Sequence, residues 1–203
     1  MGFIPKNRPI MKIIDLSAEL SNGTKTYPGD PEVKTQKIKD VGRDGYALSK
    51  ITMGLHSGTH VDAPAHYLNG GRTIDEISLG MLIGKARVCD LSSGPKKISE
   101  KELKKFRIRR NEIVLLKTRK GVLTADGADF LLQKKIRAVG IDGLSIEESG
   151  SSVVHKKLLS KNIPIMEGLV LKRVKPGTYQ FICLPLKIRG GEAAPARCVL
   201  IGR

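Results

Sequence analysis

Three of the four histidines in this 203-residue chain fall within eleven residues, in the run His56-Ser57-Gly58-Thr59-His60-Val61-Asp62-Ala63-Pro64-Ala65-His66, and share it with an aspartate. Imidazole and carboxylate are ligand types that suit zinc, manganese or iron, and the two oxygens of an aspartate can bridge neighbouring ions. His56, His60, Asp62 and His66 also have the same parity, so an extended backbone projects all four side chains to one side. Gly58 and Pro64 work against a regular helix, one by loosening the backbone and the other by removing an amide donor. The pattern therefore predicts a metal site on an extended segment. The competing reading is a set of histidines hydrogen-bonded in a surface loop.

Such a site needs a frame. Apolar runs rich in Val and Ile alternate with helical patterns, which predicts an α/β domain of mixed α and β structure. Early strands are expected at Lys12 to Leu16, Val33 to Ile38 and Tyr46 to Met53, the last two half-exposed, with a loop at Tyr27-Pro28-Gly29-Asp30-Pro31. Later strands are expected at Ala86 to Leu91, Ile113 to Thr118, Ala138 to Ile141, Ile163 to Met166, Phe181 to Leu184 and Cys198 to Ile201. Ser99 and Glu102 form the pattern of a capping box opening a short helix, and Ala128 to Lys135 and Val153 to Ser160 show helical spacing.

With 40% hydrophobic residues the chain can bury one core, so residues 1–203 are read as a single domain in which 1–10 form an N-terminal extension. No apolar stretch is long enough to span a bilayer, and Pro5, Lys6 and Arg8 stand where a signal peptide is apolar, so no membrane partner and a cytoplasmic location are expected. Cys89, Cys183 and Cys198 are read as buried free thiols. A net charge of +16 fits a nucleic-acid partner, but its spread along the chain and an aromatic content of 4% without Trp make solvated lysines the better account.

The run HSGTHVDAPAH resembles the HxGTHxDxPxH signature of the cyclase family of metal-dependent hydrolases, best known from bacterial kynurenine formamidases, and matches it at every fixed position. The resemblance extends through Asp15-Leu16-Ser17, Tyr27-Pro28-Gly29-Asp30, Gly140-Ile141-Asp142 and Leu184-Pro185-Leu186, and so covers nearly the whole chain. It implies a swivelling β/β/α domain, a barrel-like mixed sheet flanked by helices, assembled as a homodimer or homotetramer. It further implies a two-metal site, zinc or in some relatives manganese, held by His56, His60, Asp62, His155 and Glu167, with Asp62 as the bridge. The last two stand twelve residues apart, at the family's separation. His66 resembles a general acid or base; its alternative role is to orient a ligand.

The implied activity is that of an amidohydrolase acting on an aryl formamide such as N-formylkynurenine through a metal-activated hydroxide. One alternative is cyclic amide or lactone hydrolysis, as in isatin hydrolase; another is a basic nucleic-acid-binding module with a structural metal. Asp30 and Asp75 are read as turn residues outside the site, while Asp142 closes a strand from which it could approach the metals. The closing segment reads Glu192-Ala193-Ala194-Pro195-Ala196-Arg197 where relatives tend to read Asp-Gly-Ser-Pro-x-Arg. That departure is expected to bear on the substrate pocket.

Overall fold

A computed structural model describes residues 11–202, so the expected extension over residues 1–10 lies outside the described residues. In chain order the strands and α-helices are β1 (Lys12–Asp15), β2 (Lys34–Lys39), α1 (Val41–Asp44), β3 (Leu48–Thr52), β4 (His60–Asp62), α2 (Leu79–Leu82), β5 (Ile83–Asp90), β6 (Lys97–Ile98) and α3 (Glu100–Leu103). There follow β7 (Ile113–Lys117), β8 (Val122–Leu123), α4 (Ala125–Gln133), β9 (Ala138–Ile141), α5 (Val153–Leu159), β10 (Ile165–Glu167), β11 (Gly177–Pro185) and β12 (Ala193–Gly202).

Seven strands close into a ring in the order β12-β11-β5-β7-β9-β10-β4, with β4 returning to β12 and β1 added beside β12. The run β5-β7-β9-β10 is parallel, and every other pairing around the ring is antiparallel. The expected mixed α/β class with a barrel-like sheet is the observed one. A strand buried on both faces reads as a continuous apolar run, and β7 shows why. Its Ile113 and Leu115 pack with Val61, Phe181 and Leu200 from across the ring, whereas Val114 and Leu116 pack against Leu103, Leu131 and Leu158 of the helices. The capping box is present, with Glu102 Oε2 accepting from the Ser99 amide at 3.2 Å. Helix α4 starts three residues earlier than its apolar spacing suggests, at Ala125, after Thr124, whose hydroxyl donates to Asp126 at 2.6 Å.

Two further departures concern the strands. The β2–β3 hairpin is exposed on both faces instead of one, because Ile38, Leu48 and Ile51 are too few to bury a face and the two strands pair only with each other. Strand β12 begins well before Cys198, and Pro195 stands inside it where β12 exchanges partners: Pro195 O accepts from Leu186, and the next amide, Ala196 N, donates to Thr59 O. The three cysteines are free and buried, as read; Cys183 and Cys198 face each other across β11 and β12, and burial pushes the Cys89 thiol up to about 12.

The ring is tied to the histidine run by one tight backbone crossing. Gly168 has φ +66°, and a methyl group built on it would lie 2.3 Å from the Gly58 carbonyl oxygen. The Thr59 hydroxyl donates to Gly168 O at 2.6 Å and accepts from Ala18 N at 2.8 Å, so three segments meet there. Replacing Gly168 by Ala must separate the backbones, and the G168A variant is expected to be destabilised by about 1–3 kcal/mol, seen as a lower urea midpoint with an unchanged slope. A wild-type midpoint would contradict the crossing.

Candidate metal centre

The histidine run is extended only over β4. Val61 faces the ring interior, so His60 and Asp62, one residue to either side, face outward beneath α5. On the neighbouring strand β10 the register places Glu167 opposite His60, and Glu167 shares its outward parity with Ile165, which packs on the helix side. Helix α5 supplies His155. The parity expected for the whole run therefore holds for His60 and Asp62 alone. His56 arrives on a turn that includes Gly58 at φ +63°, and His66 ends a single 3-10 turn started by Pro64. Two turns, not one strand, complete the cluster.

All six expected site residues come together. Asp62 Oδ1 lies 2.9 Å from His56 Nδ1 and 3.3 Å from His60 Nε2, and Asp62 Oδ2 lies 3.7 Å from His155 Nε2. Glu167 Oε2 is 3.6 Å from His60 Nε2, and Glu167 Oε1 is 3.2 Å from His155 Nε2. The potential ligand atoms form two groups that share Asp62: one with His56 and His66, the other with His60 and Glu167. The His66 ring packs 4.2 Å from that of His56 and 4.3 Å from that of Tyr67.

The donor set fits divalent cations. Asp62 is fully buried, and neither carboxylate oxygen has a well-angled hydrogen bond; His56 Nε2 is likewise buried without one. Buried polar atoms are nearly always satisfied, and a buried carboxylate demands a compensating charge. Burial alone would lower the His60 pKa, but the Asp62 carboxylate 3.3 Å away and the charge of Glu167 outweigh burial and push it up to about 9. For His155 burial is again outweighed, by Glu167 first and then Asp62, also to about 9. Burial would raise Asp62, yet His56 and His60 hold it well below the usual carboxylate range, while burial and the Asp62 charge keep Glu167 above it. His66 goes the other way. Burial, helped by the charges of His56, His155 and His60 and opposed by Asp62, lowers it to about 4.

A cavity of about 380 Å³ opens onto this cluster, lined among others by His56, His66, Tyr67, His155 and Glu167. Asp30, read from the sequence as a turn residue outside the site, does lie in its turn but also lines this cavity. Asp75 is a turn residue as read, accepting from Thr73 and Gly190. Asp142 does not approach the cluster; it accepts from Thr118 and Arg119 amides and the Thr118 hydroxyl. The closing-segment departure divides: Ala194 pairs with Val61 and packs inside the ring, away from the cavity, whereas Glu192 reaches the cluster, its Oε1 3.6 Å from His56 Nε2. Sequence reasoning missed Glu147, which bonds to His155, and Tyr67, which packs beside His66; an acid in a Glu-Glu pair and a tyrosine after a histidine carry no spacing signal.

Residues 14–148 match the family described as "Putative cyclase". A kynurenine formamidase of Bacillus anthracis is 33% identical, the match covering 93% of this chain and 97% of that protein. One of Salinibacter ruber is 34% identical over 94% and 97%. Among solved structures, a predicted metal-dependent hydrolase from Bacillus stearothermophilus superposes with a TM-score of 0.84 at 35% identity, over 96% of this chain and 100% of that one. Isatin hydrolase A from Labrenzia aggregata shares the fold, with a TM-score of 0.85 at 20% identity over 94% and 93%. With the matched segment containing the whole histidine run and the relatives spanning nearly the full chain, this protein belongs to the cyclase family.

Proposed function

We propose that the chain is a metal-dependent amidohydrolase that cleaves an aryl formamide such as N-formylkynurenine to formate and the free amine. The observation that carries this reading is the fully buried Asp62 carboxylate, its oxygens without hydrogen bonds, encircled by His56, His60, His155 and Glu167. Those five side chains would hold two divalent cations, zinc or manganese; Asp62 belongs to both groups of closely spaced ligand atoms, and His155 Nε2 lies 3.2 Å from Glu167 Oε1 and 3.7 Å from Asp62 Oδ2. Bound there, the cations would acidify a water molecule and polarise the amide carbonyl.

The remaining work falls to the chain. His66, lowered to about 4, carries a free imidazole near neutral pH, ready to take a proton from the attacking water and return it to the leaving aryl nitrogen. Tyr67, packed against the His66 and His155 rings, offers an aromatic face for an aryl group at the cavity wall. The names of the relatives at 33% and 34% identity support the formamide as substrate. The homodimer or homotetramer implied by the resemblance is supported by the β2–β3 hairpin, since an isolated pair of strands is only marginally stable in water and Ile38, Val41, Tyr46 and Leu48 stand exposed along it and its tip.

The zinc-loaded protein is expected to turn over N-formylkynurenine, followed as free amine, and not isatin; isatin turnover alone would replace the formamide with a cyclic amide. H66A is expected to lose about 100-fold or more in kcat while its zinc content stays at the wild-type level. A fall in zinc content instead would make His66 a ligand, as its place in a ligand group with His56 and Asp62 allows. Because His60 and His155 are protonated near neutral pH without metal, zinc uptake is expected to release about two protons, and affinity to rise with pH until it levels above about 9. An indicator-dye titration showing no proton release would remove these two imidazoles from the ligand set. Light scattering is expected to give a mass of two or four chains, and a monomer at micromolar concentration would overturn the assembly.

A further inference from the structure

The four histidine rings of the site are not held alike. His60 has its Nδ1 3.1 Å from the Gly58 carbonyl oxygen, a neutral acceptor, which leaves Nε2 facing Asp62 and Glu167. His155 has its Nδ1 2.6 Å from Oε1 of Glu147, a carboxylate that is itself buried. The same carboxylate accepts the backbone amides of Val154 and His155 at 3.0 Å each and the Ser151 hydroxyl at 2.5 Å. It is thereby locked by four donors. The residue before it contributes as well: the Ile146 amide donates to Glu167 Oε1 at 2.6 Å, the oxygen that lies 3.2 Å from His155 Nε2.

We infer that Glu147 is the positioning residue of the metal centre: by accepting the His155 Nδ1 proton it fixes the tautomer in which Nε2 presents its lone pair towards Asp62 and Glu167. This deepens the proposed function and rests on its ligand set. A histidine with a carboxylate on its outer nitrogen is a more basic and better-oriented donor than one with a free ring, and removal of such a partner typically weakens metal binding by about 10–100-fold. The surroundings exclude a simple helix-capping role as the whole account. A cap needs one oxygen on the first free amides of α5, whereas here one oxygen also reaches across to the imidazole, and the adjoining amide secures the second candidate ligand. One short segment, Ile146-Glu147, thus sets both His155 and Glu167, and the β-strand register sets the rest.

The test is zinc affinity by chelator competition on the full chain, at a temperature well below the unfolding midpoint of each variant. E147Q keeps an oxygen acceptor but loses the charge, and is expected to bind zinc about 10–100-fold more weakly than the wild type. E147D keeps the charge on a shorter arm and is expected to recover part of that loss. E148Q, at the exposed neighbour that pairs with Lys97, is expected to match the wild type. Folded E147Q binding zinc within about twofold of the wild type would overturn the inference, because a residue that only caps a helix leaves affinity unchanged once the protein is folded. Should E147Q fail to fold, E147D decides in its place: weaker zinc binding supports the positioning role and wild-type affinity removes it. A wild-type chain that takes up no zinc would defeat the proposed function itself, and the positioning role with it.

Discussion

The structure turns on a single buried charge. Asp62 has no exposed surface, lies in a three-residue strand, and has neither oxygen satisfied by a hydrogen bond, so the fold around it must supply positive charge or lose stability. Three imidazoles approach it, and Glu167 adds a second negative charge at the same place. A protein without a cation there has to hold protons on His60 and His155 to balance the two carboxylates. The opposed pKa directions of these four groups express one fact: the cluster is arranged for more positive charge than its own side chains carry when neutral.

Closure of the ring and assembly of the site are the same event. Strand β4 is three residues long and is paired on both edges, by β10 and by β12. It is the piece that completes the barrel. Because side chains alternate with a period of two, a slip of one residue would turn Val61 outward and put His60 and Asp62 into the apolar interior. Burying a carboxylate among Phe181, Leu115 and Met166 is prohibitive, so the charge on Asp62 enforces the register that closes the barrel. The close Gly58–Gly168 crossing and the Thr59 hydroxyl then tie the turn that carries His56 to the residue that follows β10.

How much of this is legible in the sequence follows from which contacts are local. Strands β7 and β9 show as continuous apolar runs because they are buried on both faces, and the capping box at Ser99 and Glu102 is a three-residue interaction that the chain spells out. The histidine cluster is legible for the same reason of short range, and His155 and Glu167 only through the resemblance, since nothing in a helix histidine or a strand-end glutamate names its distant partner. Glu147 stays hidden because its meaning depends on α5 folding back over the loop that carries it. The Ala194 departure is misjudged from sequence because its importance depends on which way the side chain points, and β12 turns it inward, away from the cavity. Asp30 is half-legible: its turn is written in Tyr27-Pro28-Gly29-Asp30, its place at the cavity is not.

The cluster also has two mechanical halves. His60 and His155 are buried, sit on regular elements, and have their outer nitrogens engaged by Gly58 and Glu147. His56 and His66 stand on turns, are half-exposed, and pack ring to ring at 4.2 Å at the cavity side. A group that carries protons must be able to reorient between an attacking water and a leaving nitrogen. Loops positioned by a rigid scaffold commonly bear such groups. The division seen here, buried histidines on strand and helix and less buried ones on turns, leaves the His66 ring at the cavity wall, between the rings of His56 and Tyr67.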